Sequence, residues 1–503
     1  MSGEWKNKLY FGDNLEILRE QIQTESVDLI YLDPPFNSQA TYNILFAEKS
    51  GEQSAAQITA FEDTWHWGLE AEKAYHEVVT LGPRKLADLL QALRSFLGSN
   101  DMMAYLTMMA IRLDELHRVL KPTGSIYLHC DPTASHYLKL LMDAVFGYKN
   151  FLNEVVWYYR GAGTPKAARA RRHDILLFYA KMKTMHFFDP DPIRQPYAEA
   201  TVERFAHYIG NVRDGHDYGL QRLHPLGKHP DDVITHIQPI APSAKARLGY
   251  PTQKPEELLE EIIKSSSREG DIVFDPFCGC GTTIAVAERL QRRWIGIDIT
   301  HLAITLIKKR LQDTFGPELT PYAEIGAPED YPSAEALATL NRHQFEWWAL
   351  GLVEARPAQD KRKGPDTGID GLIYFFDDQS GQAKKIVIQV KSGNVTVSQL
   401  RDLKGVMERE KAVIGVFITL KEPTKPMLQE AAAAGFYEPE YFPGRQFPRL
   451  QILSITDLLT GQEVQYPRVA PTATFKKAQR QPKGSDAKPQ QNAIAWEDHN
   501  NEV

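Results

Sequence analysis

In the first part of the chain, short apolar runs alternate with longer stretches in which apolar residues return every three or four positions. Runs of the first kind read as buried strands and stretches of the second as helices with one covered face. Strands are predicted at 8–11, 27–32, 125–129, 271–275 and 293–298. Helices are predicted at 102–120, 133–146 (Gly147 as C-cap), 256–267 and 283–290, with a last one capped by Thr300. Lys121-Pro122-Thr123-Gly124 predicts a stop and a turn. The alternation implies a mostly parallel sheet covered on both faces.

The pattern fades over 185–249, which is rich in His, Asp, Pro and Arg and reads as an irregular insertion. Residues 314–340 hold Pro317, Pro321, Pro328 and Pro332 and read as a linker. A second compact unit is expected over 341–466. Beyond Pro467 the chain is polar and basic with few aromatics, as in a disordered tail. No internal repeat is visible.

A chain of 503 residues exceeds one ordinary core, so two or three domains are expected. No apolar run is long enough to span a bilayer, so no membrane partner is expected, and the first residues do not read as a signal peptide. The three cysteines cannot build a disulfide framework, which makes a reducing cytoplasm the expected setting. The net charge of −7 does not advertise a nucleic-acid binder. One local patch runs the other way: Arg160, Lys166, Arg169, Arg171 and Arg172 crowd a glycine-containing stretch able to follow a phosphate backbone or simply to be a solvated loop.

Two places carry chemistry in this half. At the end of the 27–32 strand stand Asp33, Pro34, Pro35 and Phe36. A carboxylate and a prolyl carbonyl can each accept one N–H of a flat exocyclic amine, drawing its nitrogen toward tetrahedral geometry and freeing its lone pair. Pro35 fixes the carbonyl's direction, and Phe36 offers a face for an extruded base. A strand ending in a proline turn is the plain alternative.

The second place is Asp275-Pro276-Phe277-Cys278-Gly279-Cys280-Gly281-Thr282-Thr283, where a strand meets a helix. Gly279 and Gly281 permit a tight turn and close ligand approach. Asp298, ending the next strand, is suited to ribose hydroxyls, and Asp275 to an ammonium group. A nucleoside joined to an amino acid, as in S-adenosylmethionine, fits both. A dinucleotide is the rival, but its third glycine position holds Ile284. Cys278 and Cys280 lack the partners of a metal site and read as small residues packed in the turn.

These segments, in this order, resemble the β arrangement of the amino-group DNA methyltransferases, a circular permutation with the catalytic half first. The resemblance covers about the first 313 residues. It implies a Rossmann-like, S-adenosylmethionine-dependent fold, and it aligns Gly12-Asp13 with the acid that meets the cofactor's adenine. Asp33-Pro34-Pro35-Phe36 aligns with the catalytic motif. Tyr250-Pro251-Thr252-Gln253-Lys254-Pro255 aligns with the segment over the methionine end, the Asp275 loop with the cofactor turn, and residues 294–298 with the ribose strand. Residues 124–131 and 153–157 also look like family segments. Asp13, Lys254, Asp275, Phe277, Gly279, Gly281, Thr282 and Asp298 are the implied cofactor residues. Aspartate at 33, where cytosine-N4 enzymes of this arrangement usually carry serine, implies adenine N6 of double-stranded DNA as acceptor. The 185–249 insertion lies where the family places target recognition. Trp65 and Trp67 belong either near the flipped base or to local packing. Family members often pair as homodimers.

In the second unit, Gly368-Ile369-Asp370-Gly371 opens one strand of a hairpin and Gln389-Val390-Lys391 closes the other. Alternation puts Gln389 and Lys391 on one face. A hard divalent cation such as Mg2+ on Asp370, with an ammonium nearby to orient water, suits phosphodiester hydrolysis; an ordinary buried hairpin with an exposed lysine is the alternative. The pattern resembles Mrr-like restriction endonucleases of the PD-(D/E)xK fold, a smaller α/β unit. In that family Asp370, Gln389 and Lys391 would be the catalytic set, Asp370 and Gln389 the metal ligands and Glu346 the accessory acid.

The leading expectation is an adenine DNA methyltransferase fused to a restriction nuclease. A solitary modification enzyme whose last unit only binds DNA, an RNA methyltransferase and a non-catalytic nucleic-acid adaptor remain as alternatives.

Overall fold

The computed structural model describes residues 5–35, 67–161, 165–206, 210–213, 216–220, 223–241, 244, 253–358, 368–377, 383–440, 444–468, 474 and 478–484. The larger sheet is built from β1 (Asn7–Phe11), β2 (Val27–Leu32), β3 (Leu120–Cys130), β4 (Phe151–Tyr158) and β5 (His173–Ala180), joined later by further strands. After a separate hairpin of β6 (Gly210–Arg213) and β7 (His216–Leu220) come β8 (Val233–Ile234), β9 (Ile272–Asp275), β10 (Arg293–Asp298) and β11 (Tyr322–Ile325). Their order is β11-β1-β10-β9-β2-β3-β5-β4-β8. The six strands from β11 to β3 are mutually parallel, and β5 runs against both its neighbours.

These strands are nearly continuous apolar runs because both faces are covered. One face packs Ile30, Leu32, Ile126 and Leu128 with Met103, Leu106 and Ile111 of the helix Asp101–Val119. The other packs Leu29, Tyr31, Val273 and Trp294 with the helices Glu256–Ser266, Thr282–Arg289 and His301–Phe315.

The predicted strands and helices recur within a few residues of their expected bounds. Two differences stand out in this half. Lys121–Gly124 does not interrupt the chain: β3 runs through it, and the irregularity is absorbed as a bulge where the register shifts between Val27 and Leu29. The stretch 314–340 is structured. β11 extends the sheet beside β1, and the helix Tyr331–Leu340, capped by Asp330 and started by Pro332 near its N-terminus, buries Ala334 in the second core. Its prolines sit at element starts, where a missing N–H costs nothing.

The smaller domain is a sheet of β12 (Arg356–Pro357), β13 (Gly371–Phe375), β14 (Lys384–Lys391), β15 (Ile414–Thr419) and, after the short pair β16 (Phe436–Tyr437) and β17 (Phe447–Pro448), β18 (Leu450–Ser454). β12, β13 and β14 are antiparallel; β14, β15 and β18 are parallel. Ile386, Ile388 and Val390 face the helix Arg342–Leu352, while Val387 packs on the other side with the helix Val397–Glu410.

Residues 478–484, expected in a disordered tail, are hydrogen-bonded to the larger domain, and Thr474 to β13. Among the described residues, no helix is long and apolar enough to cross a membrane.

Candidate active site

β1, β10, β9 and β2 are consecutive parallel neighbours, so their carboxyl ends share one rim. Each end is followed by or finishes on an acid: Asp13, Asp298, Asp275 and Asp33. Ligands of open α/β sheets gather at such a rim.

Asp13 caps the helix Asn14–Gln21, accepting from the Leu15 N–H at 2.7 Å, and its second oxygen meets Arg112 Nη2 at 2.9 Å. Arg112 is buried. Its Nε donates to Asn14 Oδ1 at 2.6 Å, and Asn14 Nδ2 donates to the Pro276 carbonyl at 2.9 Å. The turn after β1 is thereby tied to the loop after β9. Asp298 accepts from the Gly279 N–H at 2.9 Å and from the Thr300 N–H and hydroxyl, each at 2.9 Å. Burial still pushes its carboxyl up to about 6. Asp275 rises further, to about 7, because it is buried and because Asp33 and Asp298 add like charge, against hydrogen bonds from Thr283 and the Phe277 N–H. A cationic group seated among these acids would relieve both.

Gly281 has φ +72°, and a Cβ there would lie 2.8 Å from Ile307 Cγ1, so glycine is required. Gly279 is also left-handed, at φ +50°. Thr282 is buried, its hydroxyl accepting from Arg310 at 3.0 Å. Cys278 and Cys280 are free, buried thiols pushed up by burial, as packing residues would be.

A cleft of about 570 Å3, mouth included, opens at this rim; its walls include Asp13, Pro34, Pro35, Phe277, Asp298 and Ile299. Asp33 and Asp275 flank Pro34 and Pro276 of that wall. Lys254 forms an ion pair with Asp33, which brings that lysine to the corner. Phe36, Trp65 and Tyr250-Pro251-Thr252 lie outside the described residues. Trp67 is a packing residue: its ring meets Tyr75 edge-on, with the Arg94 guanidinium 4.6 Å from its centroid. The basic stretch hangs between β4 and β5. Register pairs Trp157 with Asp174 and Cys130 with Ile175, which sets the stretch at the same rim as Asp33. Arg160, Lys166, Arg169 and Arg171 are exposed there.

One group of polar residues escaped the sequence reading. The Tyr31 hydroxyl meets His129 Nδ1 at 2.8 Å, His129 Nε2 meets Asp174 Oδ2 at 3.1 Å, and the Tyr159 hydroxyl donates to Asp174 Oδ1 at 3.1 Å. His129 is fully buried, with Trp157 edge-on at 5.8 Å. The available signal was a tyrosine and a histidine each interrupting an apolar run; it gave no pairing, because the partners lie 98 residues apart.

In the smaller domain, Asp370 starts the hairpin, its N–H bonded to the Ile388 carbonyl at 2.9 Å and its Oδ2 accepting from the Val390 N–H at 2.8 Å. Lys391 Nζ lies 3.6 Å from Asp370 Oδ2. Gln389 is buried; its amide nitrogen donates to the Gly368 carbonyl, and its Oε1 has no hydrogen-bond partner. Glu346, 4.0 Å from His343, stands on the helix covering the opposite sheet face. The structure thus joins Asp370, Gln389 and Lys391. Among the described residues no group of three or more His, Cys, Asp or Glu side chains could hold a metal ion.

A Rossmann-like domain whose acid-lined cleft shares a wall with a carboxyl–prolyl corner presents a candidate nucleotide-type cofactor site on an α/β scaffold. The DNA methylase family matches residues 27–309, and a restriction endonuclease family matches residues 337–438. Similar curated proteins include the type II methyltransferases M.HpaI of Haemophilus parainfluenzae (35% identity, 40% of this chain, 58% of that protein) and M.BamHI of Bacillus amyloliquefaciens (28%, 61% and 57%). M.BglII of Bacillus subtilis is another (33%, 58% and 65%). The chain spans about three-fifths of the length of these relatives. Among solved structures, those matched include PvuII DNA methyltransferase, cytosine-N4-specific (TM-score 0.37, 16% identity, 60% of this chain, 85% of that one), and the M1.HpyAVI–SAM complex (0.31, 17%, 60% and 98%). The chain belongs to the DNA methylase family, with a restriction-endonuclease domain of the Mrr type following the methylase domain.

Proposed function

We propose that this chain transfers a methyl group from S-adenosylmethionine to adenine N6 in double-stranded DNA. One observation carries the reading: the acids suited to a nucleoside, Asp13 and Asp298, line the same cleft as Pro34 and Pro35. The donor set fits the cofactor, since Asp13 and Asp298 line a cleft that must take ribose hydroxyls and an adenine, and Asp275 and Asp33 stand at the same rim. Asp298 would take the ribose, Asp13 the adenine end and Asp275 the ammonium. Phe277, Gly279, Gly281 and Thr282 would shape the turn around them, and Lys254 the segment above. When bound, the cofactor supplies a methyl activated by its sulfonium.

The chain's own groups do the rest. Asp33 and the Pro34 carbonyl each accept one N–H of the target amine, and Pro35 holds that carbonyl. Positioning supplies most of the rate gain, Asp33 orienting the amine rather than acting as a strong base. The base must leave the duplex first, with Phe36 as its stacking face and the exposed Arg160, Lys166, Arg169 and Arg171 on the phosphates. Aspartate at 33 supports adenine over cytosine.

The second domain supports a coupled reading, restriction of unmodified DNA. The partnerless buried oxygen of Gln389, beside Asp370, is what a hard cation would satisfy. Asp370 and Gln389 would hold Mg2+, whose charge would polarise the phosphodiester, while Lys391 orients water and Glu346 assists.

The test is radiolabelled methyl transfer to unmodified duplex DNA, followed by mass spectrometry of the nucleosides. N6-methyldeoxyadenosine is expected, and Asp33→Ala should abolish transfer. N4-methyldeoxycytidine in its place would overturn the acceptor; no transfer by the wild type would overturn the reading.

A further inference from the structure

Beneath the cofactor turn lies a buried ionic network the proposed reaction does not use. Arg310 Nη1 donates to the Cys280 carbonyl at 3.2 Å and to the Thr282 hydroxyl at 3.0 Å, so it holds the turn from below. Its Nη2 donates to Glu256 Oε1 at 2.7 Å, and Glu256 Oε2 accepts from Arg289 Nη1 at 2.8 Å. Burial alone would push Glu256 up; Arg310 and Arg289 outweigh it and hold the carboxyl below its ordinary value. Arg289 and Arg310 are almost wholly buried. A network this buried is stable only when every charge is answered.

The C-terminal segment answers part of it. Gln481 Oε1 accepts from Arg289 Nη1, and its Nε2 donates to Glu256 Oε2 at 3.3 Å. The Gln481 N–H donates to the Thr314 carbonyl at 3.1 Å and the Gly484 N–H to the Arg289 carbonyl at 2.7 Å. Next to it, Glu288 is 2% exposed, bonded by Trp294 Nε1 at 2.8 Å, Asn7 Nδ2 at 3.2 Å and the Thr320 N–H at 2.8 Å. Its ion pair is with Lys483, at 2.6 Å. At the other end of the segment, Thr474 is buried against β13, accepting from the Tyr374 N–H at 3.0 Å. β13 is the strand that Asp370 opens.

We propose that residues 478–484 are a docked strap, with Thr474 as a separate anchor on β13. Its receptor is the half-buried carboxylate of Glu256 and the buried one of Glu288, with Arg289. Its role is to brace the Cys278–Thr282 turn through Glu256 and Arg310, and to fasten the nuclease hairpin to the methylase domain. Three side-chain contacts separate Gln481 from the Cys280 carbonyl. Removing Lys483 leaves a buried carboxylate without its cation, which favours water entering and the strap leaving. The bracing half of the proposal rests on the cofactor reading above; the docking half does not.

The test uses the full chain and its variants Lys483→Ala, Gln481→Ala and Lys483→Arg. Hydrogen exchange by mass spectrometry should show the 478–484 amides protected in the wild type and in Lys483→Arg, and unprotected in the two alanine variants. Calorimetric affinity for S-adenosylmethionine should fall about threefold to tenfold in the alanine variants and be restored in Lys483→Arg. Unprotected amides in the wild type overturn the strap. Protection that survives in both alanine variants overturns the receptor. Lost protection with unchanged affinity overturns the bracing. A wild type that takes up no cofactor sinks the functional reading, while exchange still decides the docking.

Discussion

The methylase rim and the nuclease hairpin use buried polarity in opposite ways. At the rim, acids at the ends of four neighbouring parallel strands are met both by donors just along the chain (the Leu15 N–H on Asp13, Thr300 on Asp298, Phe277 and Thr283 on Asp275) and by donors from other segments (Arg112 on Asp13, Gly279 on Asp298). At the hairpin, three functional groups on two paired strands lie together, and one buried acceptor, Gln389 Oε1, is left without a donor. An orphaned buried polar atom costs about 1–3 kcal/mol. The rim is a scaffold assembled from several segments: Asp275 and Asp298 are raised by burial, while Asp13 and Asp33 are paired with Arg112 and Lys254. The hairpin is locally encoded and carries one unmet demand, which fits a site completed by what it binds.

The sharpest way to separate the two is to remove Lys391. Its Nζ is the cation beside Asp370, and it touches nothing at the methylase rim. Lys391→Ala should lower magnesium-dependent cutting of unmethylated DNA by about a hundredfold or more. Methyl transfer by the same preparation should be unchanged. Cutting that persists would show that the hairpin holds no catalytic set.

Most of the rim was readable from the chain because each of its acids ends or follows a short apolar strand. The order of those strands then puts the acids side by side. Asp33, Asp275 and Asp298 were found this way, and the two glycines by their turn. Arg112, Asn14 and His129 were not. They lie mid-helix, after a cap or inside an apolar strand, and their roles arise only when segments about a hundred residues apart meet. The proline-rich 314–340 was misread for a related reason: proline marks a start as readily as a break, and Pro332 starts a helix. The strap was unreadable because a polar, basic segment has no core signal; its partners, Glu256 and the buried Glu288, belong to another domain. In the hairpin, by contrast, strand alternation alone placed Gln389 and Lys391 together.

The raised acids give the rim a pH dependence that the hairpin should lack. Asp275 titrates near 7 when buried, against 3.8 in its ordinary state. The folded chain therefore holds this proton more tightly than the unfolded one. The contribution is fully present at low pH and is lost as pH rises from about 4 through about 7, so the ligand-free protein should melt at lower temperature across that window. Asp275→Asn should flatten that slope. Affinity for the cationic cofactor should run the other way, weakening by up to about tenfold per pH unit below 7 as the carboxyl protonates. Calorimetry at pH 6 in buffers of different ionisation heat should register proton release on binding. Binding without proton release would mean that Asp275 does not face the cation.

A smaller effect tests whether the rim depends on polar support from behind. Tyr31 sits two residues before Asp33, and its hydroxyl is held by His129, itself held by Asp174, whose other oxygen binds Tyr159 at the root of the basic stretch. The network thus joins the strand that ends in the carboxyl–prolyl corner to the root of the basic stretch after β4. Tyr31→Phe deletes one oxygen and leaves His129 Nδ1 without that partner in a buried place, so the fold should lose about 1–3 kcal/mol. If the network also sets the angle of Asp33 and Pro34, kcat for methyl transfer should fall about threefold to tenfold with little change in KM, because a slight misplacement of the amine acts on the reacting geometry and not on DNA affinity. Nuclease activity should not move. A variant that loses stability and keeps its kcat would make the network ordinary core, and the comparison would then rest on the acids alone.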